Sequence, residues 1–189
     1  CRGCKQCRGR EKGLIVTEGD SAKALAIAGI SSLTHGRNVF GVFPLRGKLP
    51  NTRKMTLTKA FENKEVRSLV TILGLEIGKS YKEEDIKKLR YDKLFIFTDQ
   101  DPDGSHICGL SINMIESLFR PLLVARPTFC SRISTPLLRI TLKNGTFHEF
   151  LSEAEHEVWK SSDPLLAAST KHVRYLKGLG SSTNADAKR

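Results

Sequence analysis

Aromatic residues are scarce in this chain, and long apolar runs are missing. Phe, Trp and Tyr make up 7% of the 189 residues, which argues against a single-strand nucleic-acid binder that stacks bases on aromatic rings. No run of about 18 apolar residues occurs, so we expect no membrane-spanning helix. The polar, cationic first residues lack the apolar stretch of a signal peptide. These absences are consistent with an ordinary globular chain, which is long enough to bury a core without disulfides or metals.

Cysteines are few and odd in number, which does not suit a disulfide framework. Five cysteines and no secretory signal favour reduced thiols inside a cell. Cys1, Cys4 and Cys7 have the spacing of metal ligands, but three thiolates are one ligand short of a closed zinc site. We interpret residues 1–12 as a basic, cysteine-containing leader, with zinc binding as the alternative.

Positive charge is in excess and clustered. The 31 Lys and Arg outnumber the 20 Asp and Glu, which gives a net charge of +11. The stretch from Phe43 to Lys59 contains no acid. Its cations are Arg46, Lys48, Arg53, Lys54 and Lys59. Such a cluster releases counterions when it meets a phosphate backbone, which favours a nucleic-acid partner. A basic domain without a polyanionic partner is the alternative.

Strand and helix patterns alternate over the first two thirds of the chain. Strands are predicted at Leu14–Thr17, Val39–Phe43 and Lys93–Thr98, and helices at Ala22–Ala28 (ended by Gly29), Leu57–Leu73, Glu83–Leu89 and Ser105–Leu118. This alternation predicts an α/β fold with a central parallel sheet flanked by helices. Ligands of such sheets bind at the carboxyl ends of strands, and Glu18 and Asp99 follow two of the predicted strands.

After Pro121 the pattern changes to antiparallel β-structure. Strands are predicted at Leu137–Leu142, Thr146–Phe150 and His172–Leu176, and a short helix at Ser152–Lys160. Asn144 and Gly145 between the first two strands give a hairpin-turn signal. We therefore expect a core over residues 13–125. Residues 126–189 would add a β-hairpin appendage, a return strand and a linker.

Three aspartates alternate directly after the most apolar predicted strand. If Asp99, Asp101 and Asp103 lie about 5 Å apart, each ionised pair repels by roughly 3 kcal/mol at a dielectric constant of 20. A bound Mg²⁺ removes that repulsion, and Mg²⁺ prefers a few carboxylates together with phosphate oxygens. Glu18 follows a second strand, so Glu18, Asp99 and Asp101 together would hold a cation across two adjacent strands.

The residues of the acidic run allow three other interpretations. A solvated acidic turn that caps the next helix is the simplest. The run also matches the opening of an EF-hand, but its twelfth position is Leu110 instead of Glu, which disfavours calcium. A phosphatase or phosphotransferase with an aspartyl nucleophile stays open.

Four short segments follow one another in a specific order. They are Glu-Gly-Asp-Ser-Ala (18–22), Pro-Leu-Arg-Gly-Lys (44–48), Asp-Gln-Asp-x-Asp-Gly-Ser-His-Ile (99–107) and Lys-Gly-Leu-Gly (177–180). Together they resemble the signatures of the TOPRIM domain of type IIA DNA topoisomerases, and the Asp-Gln-Asp form is closer to the eukaryotic and viral enzymes than to bacterial gyrase. The resemblance implies a Rossmann-like TOPRIM fold.

The resemblance also implies a role for each matching position. Glu18, Asp99 and Asp101 would be catalytic and hold Mg²⁺, with Asp103 supporting the metal through water. Two Mg²⁺ per site, which Mn²⁺ can replace, would stabilise the attacking and leaving oxygens of phosphoryl transfer. Glu18 would be a general acid if its pKa is raised. The residues implied to bind DNA are Arg46, Lys48, His106 and Lys177.

The family needs parts that this sequence does not contain. None of Tyr81, Tyr91 and Tyr175 stands in the arginine-tyrosine context of the family's nucleophile, and no Gly-rich ATP loop occurs. The resemblance implies a homodimeric type II enzyme that cuts and reseals double-stranded DNA. Its winged-helix tyrosine domain and its ATPase domain, with the ATP, would lie elsewhere in the same polypeptide. It would act in the nucleus or, for a viral source, at a cytoplasmic replication site, without a membrane partner.

Two other classes compete with this expectation. A primase-like or nuclease-like TOPRIM protein would polymerise or hydrolyse nucleic acid, although the segment 44–48 speaks against it. A non-catalytic basic DNA-binding module would need no metal.

Overall fold

The computed structural model describes residues 12–176 and Gly178, which form two sheets with helices around them. The first part consists of β1 (Gly13–Glu18), α1 (Gly19–Ser32), α2 (Gly36–Val39), β2 (Phe40–Leu45), a 3₁₀ turn (Thr52–Lys54), α3 (Leu57–Glu62), α4 (Lys64–Leu73), α5 (Glu83–Lys88), β3 (Lys93–Phe97), α6 (Pro102–Ala125) and β4 (Cys130–Ile133). The second part consists of β5 (Leu138–Leu142), β6 (Phe147–Phe150), α7 (Glu153–Ser162), α8 (Pro164–Ala168) and β7 (Thr170–Tyr175). The predictions for Lys177 and for the N-terminal cysteines concern residues outside the described range.

The first four strands form one parallel sheet in the order β2-β1-β3-β4. Gly13 of β1 pairs with Phe40 of β2 on one side and with Lys93 of β3 on the other. The two central strands have helices on both faces, which is why their sequences are almost continuously apolar. This arrangement confirms the predicted α/β fold with a central parallel sheet flanked by helices.

Hydrophobic side chains fill both sides of this sheet. Leu14 and Val16 of β1 join a core with α4 and α6. Ile15, between them in sequence, joins a second core with α1 and Phe97. Because successive residues of a strand point to opposite faces, one apolar run supplies both cores.

The longest helix, α6, is the core helix of this layer. Among the helices of the described residues, only α6 is long and apolar enough to span a membrane. The core helices of globular proteins also meet these criteria of length and composition. Its Met114, Ile115 and Leu122 are fully buried in the protein. Non-helical backbone angles at Phe119 mark a kink, next to the predicted helix end at Leu118, and a second helical segment then continues through Pro121.

Three details differ from the sequence analysis. Helix α1 does not end at Gly29 but continues to Ser32, whose hydroxyl donates to the Gly29 carbonyl oxygen (2.7 Å). Lys12, assigned above to the leader, is tied to the sheet because its backbone N–H donates to Asp92 Oδ1 (2.7 Å). Strand β4 was not predicted, and it extends the parallel sheet beyond residue 125.

The C-terminal strands form a separate antiparallel sheet in the order β6-β5-β7. The predicted hairpin is confirmed, with Asn144 Oδ1 accepting the Thr146 N–H (2.9 Å) and Gly145 at φ 86°. Helices α7 and α8 cover one face, where Trp159 packs beside Phe150 with ring centroids 5.3 Å apart. This sheet therefore has a small hydrophobic core of its own.

Candidate functional site

The ends of β1 and β3 lie side by side, and each has an acidic residue nearby: Glu18 is the last residue of β1, and Asp99 lies two residues beyond the end of β3. Thr17 pairs with Phe97 in the register of the two strands, so Glu18 and the loop after β3 leave the sheet at the same edge. The fully buried Thr98 donates its hydroxyl proton to the carbonyl oxygen of Gly104 at 3.0 Å. That hydrogen bond holds the end of β3 against the first turn of α6.

The acidic loop, residues 98–101, folds tightly onto the start of α6. Asp101 is the N-cap in an extended conformation, and its Oδ1 accepts the Gly104 N–H at 2.6 Å. A Cβ built on Gly104 would lie 2.2 Å from the carbonyl oxygen of Asp99, so only glycine fits there without movement. Pro102 at the first helical position needs no hydrogen-bond acceptor there, which suits a helix start.

Glu18 lies at the N-cap position of α1 but does not cap it with its side chain. Its Oε2 is buried and has no hydrogen-bond partner in the described part of the chain. Burial is the main reason why the pKa of Glu18 is raised, and the charges of Asp99, Asp101 and Asp103 add to it, while a backbone hydrogen bond at Asp99 opposes it. The carboxylates from the two strand ends therefore influence one another electrostatically.

Asp103 and the basic segment after β2 are in direct contact. Lys48 Nζ donates to Asp103 Oδ1 at 2.6 Å, and this hydrogen bond and charge hold the pKa of Asp103 below its ordinary value. Arg46 is exposed and makes no hydrogen bond or ion pair with the described residues. His106 is exposed one helical turn after Asp103. Three of the four predicted DNA contacts are thus exposed, and two of them lie around Asp103.

The fourth signature segment reaches the same site through Gly178. A Cβ added there would lie 3.0 Å from Asp99 Oδ2, a close contact that a small movement of the Asp99 side chain relieves, while φ at Gly178 is 74°, a backbone conformation that favours glycine. Lys177 itself lies outside the described residues, and its DNA contact stays a prediction.

The donor set fits a hard cation, although the side chains are not arranged around one. No group of three or more His, Cys, Asp or Glu side chains within residues 12–176 is placed to hold a metal ion. Asp101 is engaged by the Gly104 amide and Asp103 by Lys48. The unpartnered Glu18 oxygen and the mutual repulsion of the carboxylates are what a bound Mg²⁺ would relieve. Metal binding would therefore need side-chain rotations, with little backbone change.

Arg132 is a further residue at this site that the sequence analysis missed. Its Nη2 donates to the carbonyl oxygen of Asp99 (3.1 Å) and to Gln100 Oε1 (3.4 Å), and its Nη1 to Ser105 Oγ (3.4 Å). Arg132 lies on β4, whose sequence Cys-Ser-Arg-Ile carries no apolar strand pattern. No signal in the sequence alone points to it.

Comparison with known proteins gives this arrangement a family. The Toprim domain family matches residues 13–133. This chain belongs to that family. The match ends with β4, so it includes the strand that the sequence analysis did not predict.

Relatives of this Toprim domain share close to half of its residues. It is 46% identical to DNA topoisomerase 2 of Pisum sativum over 96% of this chain and 13% of that protein. It is 46% identical to human DNA topoisomerase 2-alpha over 93% of this chain and 11% of that protein. A solved structure, the Plasmodium falciparum topoisomerase II DNA-binding, cleavage and re-ligation domain, superposes with a TM-score of 0.80 at 44% identity over 94% of this chain and 23% of that one. The Toprim domain thus spans only a small part of these relatives.

Proposed function

We propose that this Toprim domain holds Mg²⁺ and supports reversible double-strand DNA cleavage and religation in an ATP-dependent type II DNA topoisomerase. The observation that carries the proposal is the buried, unpartnered oxygen of Glu18 in the field of the aspartates. The similarity to DNA topoisomerase 2 proteins supports it. The metal would be held by Glu18, Asp99 and Asp101, with Asp103 acting through water. Each site would hold two Mg²⁺ ions, and Mn²⁺ could replace them.

The residues of the site suit this chemistry. The bound ions would stabilise the charge that develops on the attacking and leaving oxygens. Because the pKa of Glu18 is raised, its carboxyl keeps a proton at higher pH than an ordinary glutamate, which suits proton donation to the leaving 3′ oxygen. Hydrogen bonds of Gly104 with Asp101 and Thr98 hold the backbone of the loop that carries Asp99 and Asp101, so metal binding would mainly require rotation of the side chains.

The DNA surface would be formed by the basic segment after β2 and the start of α6. Arg46, Lys48 and His106, with Lys177, would neutralise phosphates of the cleaved strand. Lys48 would exchange Asp103 for a phosphate oxygen, which releases Asp103 towards the metal. Binding through such contacts is sequence-independent and weakens with salt.

The remaining parts of the activity belong to the longer polypeptide. We propose that a winged-helix domain supplies the nucleophilic tyrosine, that an ATPase domain binds ATP, and that the full enzyme is a nuclear homodimer acting on double-stranded DNA. The core of the present chain would begin at Gly13 and, since β4 belongs to its sheet, end near Ile133. The segment beyond it would lead towards the winged-helix domain, and residues 1–11 would form the basic leader.

Metal titration by calorimetry in the presence of duplex DNA tests the proposal. Glu18→Gln and Asp99→Asn keep the side-chain size and remove a charge, and each is expected to weaken Mg²⁺ binding by about tenfold or more. Asp20→Asn is the matched control, because Asp20 is close to Glu18 in sequence but its side chain is 89% exposed. Unchanged affinity in both site variants would contradict the metal site and leave a basic DNA-binding module.

A nicking assay separates the proposed function from the nuclease-like alternative. The proposed function needs a tyrosine from outside this chain, so supercoiled plasmid is expected to stay intact with the domain and Mg²⁺ alone. Metal-dependent nicking that disappears in Glu18→Gln would instead identify a hydrolytic Toprim protein.

A further inference from the structure

Arg132 of β4 makes three hydrogen bonds, which hold the acidic loop and the first turn of α6. Its two terminal nitrogens reach the backbone of Asp99, the side chain of Gln100 and the hydroxyl of Ser105. Two of these oxygens belong to the acidic loop, and the third belongs to the first turn of α6. The planar fork of a guanidinium presents donors from two separate terminal nitrogens, whereas a lysine ammonium presents its three donors from one nitrogen on a flexible stem and does not reproduce this arrangement.

A further hydrogen bond joins the acidic loop to the chain just after β4. Gln100 Nε2 donates to the carbonyl oxygen of Thr135, just after β4, at 3.3 Å. Arg132 is not paired with a carboxylate among the described residues, and its Nε is buried without a partner. Its hydrogen bonds are therefore directed at the loop itself and not at an acidic side chain.

We propose that Arg132 is a positioning residue for the metal site. It fixes the Asp99 carbonyl and the start of α6, and with them the backbone that carries the carboxylates of Asp99 and Asp101. This inference rests on the proposed function for its metal-binding part, and its effect on the loop stands independently of metal.

Positioning and simple charge have opposite effects on metal affinity. Arg132 carries a positive charge close to the acidic loop, and a positive charge repels a bound cation. If charge were its only influence, removing it would tighten metal binding. If it positions the ligands, removing it loosens them and weakens binding by about tenfold, as is typical of residues that orient metal ligands.

The first experiment measures Mn²⁺ binding to the whole chain by the loss of the free Mn²⁺ resonance signal, with duplex DNA present. Arg132→Ala and Arg132→Lys are both expected to bind Mn²⁺ about tenfold more weakly than the wild type. Arg120→Ala is the matched control, since Arg120 lies on α6 and forms its ion pair within the described part of the chain with Glu116. Unchanged or tighter binding in Arg132→Ala, or wild-type binding in Arg132→Lys, overturns the inference. The lysine variant keeps the test valid if the alanine variant folds poorly.

The second experiment needs no metal. Amide hydrogen exchange is followed at Gly104 and Ser105, whose N–H groups bond to Asp101 at 2.6 and 3.0 Å. Faster exchange at both amides in the two Arg132 variants, but not in Arg120→Ala, is expected. Equal exchange in all the proteins overturns the inference. A wild type that binds no Mn²⁺ counts against the proposed function, while this exchange measurement still decides the role of Arg132.

Discussion

Gly104, in the first turn of α6, packs tightly against the backbone of the acidic loop. Replacing it with alanine is expected to displace the loop. The new Cβ would lie 2.2 Å from the Asp99 carbonyl oxygen, whereas real Cβ atoms stay at least 3.0 Å away, so a shift of about 0.8 Å is needed. The nearest atoms all belong to the backbone of Asp99, so they cannot move aside by a side-chain rotation. The shift weakens the two hydrogen bonds that Gly104 makes with Asp101 and Thr98.

The expected cost of Gly104→Ala follows from these contacts. Overpacking costs roughly 1–3 kcal/mol, and weakened hydrogen bonds add about 1 kcal/mol. The higher helix propensity of alanine offsets up to about 1 kcal/mol of this destabilisation. We expect the free energy of unfolding, measured with urea, to fall by about 2 kcal/mol. Mn²⁺ affinity is expected to fall as well, because the same shift moves Asp99 and Asp101.

Gly109→Ala is the matched control on the same helix. A Cβ at Gly109 meets nothing within 4 Å, so this variant gains stability by up to about 1 kcal/mol and binds Mn²⁺ like the wild type. If Gly104→Ala proves as stable as the wild type and binds the metal equally well, the reasoning from loop geometry is refuted.

Three further predictions address charge. Without metal, Glu18→Gln is expected to be more stable than the wild type near pH 7, because an ionised Glu18 with a raised folded-state pKa costs stability. That advantage should shrink as the pH falls through the raised pKa and be lost below the ordinary value of 4.5, which urea unfolding at several pH values checks. Lys48→Met should raise the pKa of Asp103 towards 3.8, since it removes the hydrogen bond and charge that lower it, and an NMR titration that shows no change would count against the contact. Arg46→Ala should weaken duplex binding for all sequences alike and reduce the salt slope by about 1, measured by fluorescence anisotropy, while the equally exposed Arg37→Ala should not.

The buried strands could be predicted because burial on both faces leaves a mark in the sequence. Leu14–Val16 and Leu94–Phe97 are continuous apolar runs, which are typical of a central parallel strand. Strand β4 leaves no such mark, because an edge strand with partly exposed residues tolerates Ser131 and Arg132. Its place is set by pairing with β3, which only the folded sheet reveals.

The acidic site was predictable in outline and not in its contacts. Parallel strands end at one edge, so Glu18 and Asp99 were expected at the same edge of the sheet, and the pairing of β1 with β3 brings the two strand ends together. The ion pair of Lys48 with Asp103 joins residues 55 positions apart, and the Arg132 contact with Asp99 joins residues 33 apart. Contacts of that range depend on strand order and loop shape, which residue periodicity does not encode.

The C-terminal sheet has its own core, and the chain's one tryptophan lies inside it. Trp159 packs against Phe150 and His156, away from both cores of the parallel sheet. Its emission therefore reports the loosening of this layer, while far-UV circular dichroism mainly follows the helices around the parallel sheet. The two denaturation curves will coincide only if both layers melt as one cooperative unit, so a single optical probe cannot stand for the stability of the whole chain.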